Sequence, residues 1–210
     1  VSYVVAPQAV VVPMLALGLL WLALWQGKAR IMGAGIALLA GLIWTQSTRP
    51  AVLVADNGSL IGVMTDDGRA LSKAKGSGFV AGIWLENDGD PVPQDQAAAK
   101  LPQQQAIRRV DIGLGDWNIT QVSGKTALAK LQGCGGADVL ILNTQDDTIR
   151  PCQVYDPIDL RGTGSLAIDL DRQGGLRIVT ATDVSGARPW TPLLQKGATG
   201  RVLAAGVAYE

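Results

Sequence analysis

The chain opens with two long apolar runs and then changes texture. From Val4 to Trp25 the segment VVAPQAVVVPMLALGLLWLALW carries no charge over 22 residues, close to the roughly 20 that a helix needs to cross a bilayer. A second run, IMGAGIALLAGLIWTQS, covers 17 residues from Ile31 to Ser47, which suffices where Arg30 and Arg49 snorkel toward the headgroups. Pro13 predicts a kink in the first run, tolerable where neighbouring helices cover the freed carbonyl. Trp21, Trp25 and Trp44 sit near run ends, where indole rings favour the interface. Gly33, Gly35, Ala37, Ala40 and Gly41 are small enough to let helices pack closely. A cleaved signal peptide would account for one run, and a buried soluble hairpin for two shorter ones. The run lengths, the tight basic turn and the lack of an A-x-A site after the second run favour a transmembrane hairpin over residues 1–48.

Past Arg49 the periodicity shortens. AVLVADNGSLIGVMTDDGRALS predicts three strands joined at Asn57-Gly58 and Asp67-Gly68, dipeptides that supply positive φ to tight hairpins. GFVAGIWLENDGD places Phe79, Ile83 and Trp84 at helical spacing, with Gly89 ending the helix. Residues 91–106, rich in Pro, Gln and Ala, predict an irregular excursion. Strands resume at RRVDIG and DWNITQVS, and a short helix from Thr126 leads to ADVLILN, an apolar strand of the kind a sheet buries. GSLAIDLDRQGGLRIVTATD predicts a last hairpin, turned at Gly174-Gly175. No internal repeat is present. The pattern gives two transmembrane α-helices followed by an α+β, strand-rich domain over residues 49–210.

Charge orients the hairpin. Residues 1–48 carry only Lys28 and Arg30, both in the turn Gln26–Arg30. Short loops rich in Lys and Arg stay in the cytoplasm, so the second helix runs outward and the polar domain lies in the bacterial periplasm. Setting those two aside leaves 16 basic against 18 acidic residues, net −2. Proteins that grip nucleic acid across their own surface are more often basic, although a local patch of Arg69, Lys73 and Lys75 offers a weak DNA contact. Two helices and a first residue that is not Met read as the end of a longer, polytopic polypeptide.

The topology gives the cysteines a meaning. Cys134 and Cys152 are the only two, and an even count in an oxidising compartment suggests a bridge, which would close a loop of about 18 residues and contribute roughly 3 kcal/mol. Spacing alone leaves two free buried thiols as the alternative.

Catalytic patterns are sparse. The chain has no histidine, which removes Ser-His-Asp and Cys-His nucleophile systems and every His-ligated zinc site. SKAK, Ser72–Lys75, matches S-x-x-K but runs into GSG rather than a helix start. Asp146, Asp147, Asp156, Asp159, Asp169 and Asp171 could hold Mg²⁺ through oxygen alone, but their settings read as turns and strand ends. GCGGAD lacks the long following helix of a phosphate loop. The residues predict neither a catalytic nor a metal site, and no cofactor.

The order of parts carries a resemblance. The two apolar helices, TRPAVLVADNGSLIGVMTDDGRALS, GFVAGIWLENDGD, CGGADVLILN, RPCQVYDPIDLRGTGSLAIDL and GLRIVTATDVSGARPW together resemble the carboxyl end of the ComEC competence-protein family, roughly from Leu15 to Pro192. That resemblance implies an inner-membrane channel carrying single-stranded DNA into the cytoplasm during natural transformation. It also implies a carboxyl domain resembling a shortened metallo-β-lactamase fold. Its expected partners are the membrane, single-stranded DNA through the missing channel portion, and other competence proteins. Such a domain needs a histidine- and aspartate-rich cluster to hold its metal ions; TQDD follows ADVLILN where an HHG-type motif would stand. The domain is therefore expected to be degenerate and non-catalytic. The reading from another class is a membrane-tethered periplasmic interaction domain unrelated to DNA.

Overall fold

The computed structural model describes residues 7–101 and 108–186. The chain forms two compact units, Val1–Arg49 with Glu86–Pro91, and Pro50–Leu85 with Val92–Glu210.

The first unit contains helices α1 (Val11–Leu24) and α2 (Arg30–Thr45), joined through a 3₁₀ turn at Gly27–Ala29. That turn and α2 make a 19-residue stretch, Gly27–Thr45, long and apolar enough to cross a membrane, spanning about 28 Å at 1.5 Å per residue. Helix α1 has 14 residues, about 21 Å, which falls short of the roughly 30 Å hydrocarbon core; Val4–Ala6 of its run lie outside the described residues. Pro13 falls at the third residue of α1. It sits in the first turn, where a missing N–H leaves no bond unmade. Buried Val11 and Gly18 on α1, and Gly33 and Ala40 on α2, recur every seven residues, the spacing of a continuous helix–helix seam. A Cβ on Gly18 would meet the Gly33 carbonyl at 2.9 Å, and one on Gly33 would meet the Gly18 carbonyl at 2.7 Å. Gly35 and Gly41, expected in the same contact, have open space beside them. Trp21 and Trp25 stack with ring centroids 4.1 Å apart, and the Trp21 indole donates to the Ala29 carbonyl at 2.9 Å.

The second unit is built in four layers: helix, sheet, sheet, helix. One sheet is antiparallel throughout, in the order β3 (Gly68–Leu71), β2 (Ile61–Thr65), β1 (Val52–Val54), β8 (Leu166–Leu170), β9 (Leu176–Thr180). The other runs β4 (Arg109–Leu114), β5 (Trp117–Val122), β6 (Val139–Leu142), β7 (Gln153–Tyr155), with β4–β5 antiparallel and β5–β6–β7 parallel. Between them lies the main core, with Val52, Val54, Ile61, Leu166 and Ile168 facing Val110, Ile119, Val139, Ile141 and Tyr155. Strand β6 is buried at all four positions. Val139 and Ile141 enter the main core, while Leu140 and Leu142 face α5 (Lys125–Ala129) on the outer side. This is the period-two alternation of a strand with apolar layers on both faces.

On the outer face of the antiparallel sheet lie α3 (Gly78–Asp88) and α4 (Gln94–Ala99). Of the three residues at helical spacing, Trp84 packs against this layer and the other two do not. Phe79 is 82% and Ile83 40% exposed, whereas Ala81 and Leu85 are buried with Trp84 packed beside them. Nor is 91–106 all irregular. Pro93 precedes α4, whose Ala97 and Ala98 are buried, and small side chains let that helix approach the sheet closely; residues 102–106 lie outside the described residues.

The first turns also differ from expectation. Asn57-Gly58 does not form a two-residue hairpin. Val54 pairs with Ile61, and the loop between them closes through Gly58 N–H to Ala55 O and Ala55 N–H to Leu60 O. Gly58 alone of the pair takes a positive φ, +64°. The turn of the second hairpin is Asp66-Asp67, with Gly68 in the ladder at φ +97°. At the last hairpin the Asp171 carboxylate accepts the N–H groups of Gln173 and Gly175 at 2.7 and 2.8 Å.

Candidate functional site

Parallel pairing of β5, β6 and β7 brings three strand ends to one edge, and the crevice beyond such carboxyl ends is the usual ligand position in α/β sheets. Ser123-Gly124 follow β5, Asn143–Asp146 follow β6, and Asp156 follows β7. The Asn143 side chain ties the first two ends by accepting the Gly124 N–H at 2.7 Å. Asp156 ties the last two, since its carboxylate accepts the Asp146 N–H at 3.2 Å.

Asp156 also begins α6 (Pro157–Thr163). Its carboxylate takes the N–H groups of Ile158 and Asp159, Pro157 occupies the first helical position, and Asp159 reaches back to the Asp156 N–H. D-P-I-D is thus a readable helix start, Asp at the cap, Pro next and an acid at the third position. Asp156 and Asp159 thus cap a helix, where their setting predicts turns and strand ends. T-A-T-D does the same for α7 (Ala181–Ser185).

Beside these strand ends lies an open cleft of about 520 Å³, lined by Lys125, Leu131, Gly133, Thr144, Asp146 and Arg150 among others. Its buried feature is an ion pair between Asp146 and Arg150, each side chain 5% exposed. Arg150 also donates to the Gly133 carbonyl, and the Thr148 N–H donates to Asp146 at 3.2 Å. Burial would raise the Asp146 pKa, but the hydrogen bonds from Arg150 and Thr148 and the Arg150 charge outweigh it and hold the carboxyl below its ordinary value. Asp146 is therefore an ionised acceptor already engaged by its neighbours. Among the described residues, no serine or cysteine lines the cleft, and no group of three or more His, Cys, Asp or Glu comes together to hold a metal ion.

Cys134 and Cys152 are bonded to each other, with α-carbons 6.1 Å apart. The bridge joins the segment carrying Gly133 to the one carrying Arg150, the two residues that share a hydrogen bond in the cleft. Arg150 was not singled out from the sequence; its one signal is the acid four residues before it.

The basic patch expected from Arg69, Lys73 and Lys75 does not form. Arg69 is wholly buried and donates to the carbonyls of Gly62 and Pro50 at 3.2 and 3.1 Å. Its guanidinium satisfies backbone acceptors and cannot reach a solvent-borne polyanion. Lys75 is exposed and Lys73 half-buried, with burial lowering its pKa. Ser72 of the S-x-x-K match is buried, and its hydroxyl accepts the Ile61 N–H at 2.9 Å. The loop after it is pinned by Gln94, whose amide donates to the carbonyls of Lys73 and Gly76 at 3.0 and 2.7 Å. Lys28 lies in the exposed 3₁₀ turn, and exposed Arg30 begins α2.

No protein-family model, curated protein or solved structure matches the chain.

Proposed function

We propose that the chain is the carboxyl-terminal part of an inner-membrane DNA-uptake channel of the ComEC kind, which carries single-stranded DNA into the cytoplasm during natural transformation. Its helical hairpin belongs to the channel, and its non-catalytic, shortened metallo-β-lactamase-like domain stands in the periplasm. The observation that carries the reading is the order of parts, an apolar helical hairpin followed by an α+β unit of two sheets, the order on which the resemblance rests. The hairpin adds support. Leu17, Leu24, Ile31 and Leu38 are more than 60% exposed, a surface that water penalises and that lipid or further helices would cover.

The test is uptake. Deleting the coding region for residues 1–210 in the bacterium that encodes it should abolish entry of labelled DNA into the cytoplasm while leaving surface-bound DNA unchanged. Unchanged entry would favour the membrane-tethered interaction domain unrelated to DNA. Alkaline phosphatase fused after Glu210 should be active, and activity only from a cytoplasmic reporter would overturn the orientation. The purified chain should leave single- and double-stranded DNA intact with Mg²⁺, Mn²⁺ or Zn²⁺. Cleavage that EDTA abolishes, and that is lost in the Asp146→Ala/Asp147→Ala variant, would make the domain an enzyme.

A further inference from the structure

A second groove borders helix α5, about 610 Å³ in volume and adjoining the cleft at Leu131, with Val122, Ala127 and Leu131 giving it an apolar lining. Its polar lining is basic. Arg108, Arg109 and Lys130 border it with Thr126, and no carboxylate lines it among the described residues.

Two features show how the basic side chains are placed. Arg108 and Arg109 are adjacent at the start of β4, where successive side chains of an ordinary strand point to opposite faces. Arg108 instead takes φ +55°, a left-handed conformation costly for a residue with a Cβ, and both arginines line the same groove. The strained residue is not loose, because its carbonyl accepts the Ser123 N–H at 2.8 Å. Arg109 is fixed in turn. Its Nε donates to both Asp111 oxygens at 2.9 Å and its Nη2 to Gly135 O at 2.8 Å, while Thr120 donates to Asp111 at 2.6 Å. Asp111 is thereby engaged by both Arg109 and Thr120. No ion pair to Arg108 or Lys130 is present among the described residues.

We propose that this groove binds a phosphate-bearing anion, with Arg108 and Lys130 making the charged contacts and Thr126 a hydroxyl contact. A guanidinium fork matches the paired oxygens of a phosphate, and the ammonium adds a point charge. The left-handed backbone at Arg108 is what turns that side chain into the groove. The proposal does not rest on the transport reading, because the phosphate can belong to a nucleic-acid backbone or to a free phosphorylated compound.

The test is calorimetric titration of the 210-residue chain in neutral detergent micelles, at constant ionic strength, with inorganic pyrophosphate in one arm and a twelve-residue oligothymidylate in the other. Saturable binding is expected, weakened about tenfold or more by Arg108→Gly and by Lys130→Ala, as loss of a charge-assisted hydrogen bond implies. Arg172→Ala, in the distant β8–β9 turn, should leave it unchanged. Glycine accepts φ +55° without strain, so Arg108→Gly should keep or raise the thermal midpoint while losing affinity. Pyrophosphate binding alone would identify a free phosphate compound, and oligonucleotide binding lost in both variants a nucleic-acid backbone; either supports the groove. No saturable binding of either probe, or binding as tight in Arg108→Gly/Lys130→Ala as in the parent, overturns it.

Discussion

Gly58→Ala is the substitution on which the packing of the two sheets can be judged. Gly58 sits in the β1–β2 loop of the antiparallel sheet, and a Cβ there would lie 2.2 Å from the Leu142 carbonyl oxygen at the end of β6. A backbone oxygen cannot rotate away as a side chain can, so the loop or the strand must move by about 1 Å, an overpacking worth about 1–3 kcal/mol. The φ of +64° adds about 1 kcal/mol for any residue with a Cβ. Movement of the loop also threatens the buried bond from the Gln121 amide to Gly58 O, 2.8 Å long, whose loss would cost about 1–3 kcal/mol. A total near 4 kcal/mol is expected, large beside the roughly 5–15 kcal/mol of a whole domain, and equivalent to a fall of about 10 °C in thermal midpoint. Gly136→Ala isolates the backbone term, because Gly136 has φ +86° with nothing within 4 Å of its notional Cβ. Urea unfolding of the 210-residue chain in detergent, followed by near-ultraviolet circular dichroism, would compare the two. A Gly58→Ala midpoint within about 1 kcal/mol of Gly136→Ala would refute the close approach of loop and strand.

The Asp146 pKa is lowered in the folded chain, so its stabilising contribution is complete above the ordinary carboxylate value near 3.9 and disappears as pH falls through the folded value. Asp146→Asn, which strands the Arg150 charge, should therefore cost about 3 kcal/mol at neutral pH, and the gap to the parent in denaturant midpoint should close in strong acid; an equal gap at pH 7 and pH 2.5 would contradict the pairing. Reducing the Cys134–Cys152 bridge, which closes a separation of 18 residues, should lower stability by about 3 kcal/mol. Alkylation mass spectrometry should find both thiols blocked until reductant is added, and free labelling of unreduced protein would exclude the bond.

Local chemistry made much of the architecture legible. ADVLILN reads as a fully buried strand because four consecutive apolar residues leave neither face for water, and β6 is that strand. The hairpin at Gly174-Gly175 was legible because Asp171 and a glycine at φ +82° build the turn from within five residues. Helix α3 was legible in position but not in orientation. Its segment is apolar nearly all round, so spacing could not say whether Phe79 and Ile83 or Ala81 and Leu85 would face the sheet. The face that packs carries Ala81, Trp84 and Leu85, beside the Ala-rich helix α4.

What the sequence determined by itself was whatever a short window encodes: where apolar runs lie and how long they are, which segments alternate with period two, and which acids can cap a following helix. What only the tertiary structure decided was partnership. The parallel joining of β5, β6 and β7 pairs segments separated by intervening helix and loop, and that joining creates the edge at which Asp146, Arg150 and Asp156 meet. The fate of the charges was decided the same way. Arg69 reads as a surface cation until the carbonyls of Gly62 and Pro50 close around it, while Arg108, left-handed at the end of the β4–β5 ladder, and Arg109 border one groove. A side chain's periodic position follows from its own neighbours in sequence, but its solvent, its counter-charge and its hydrogen-bond partners are supplied by segments far along the chain, and those are settled only when the layers pack.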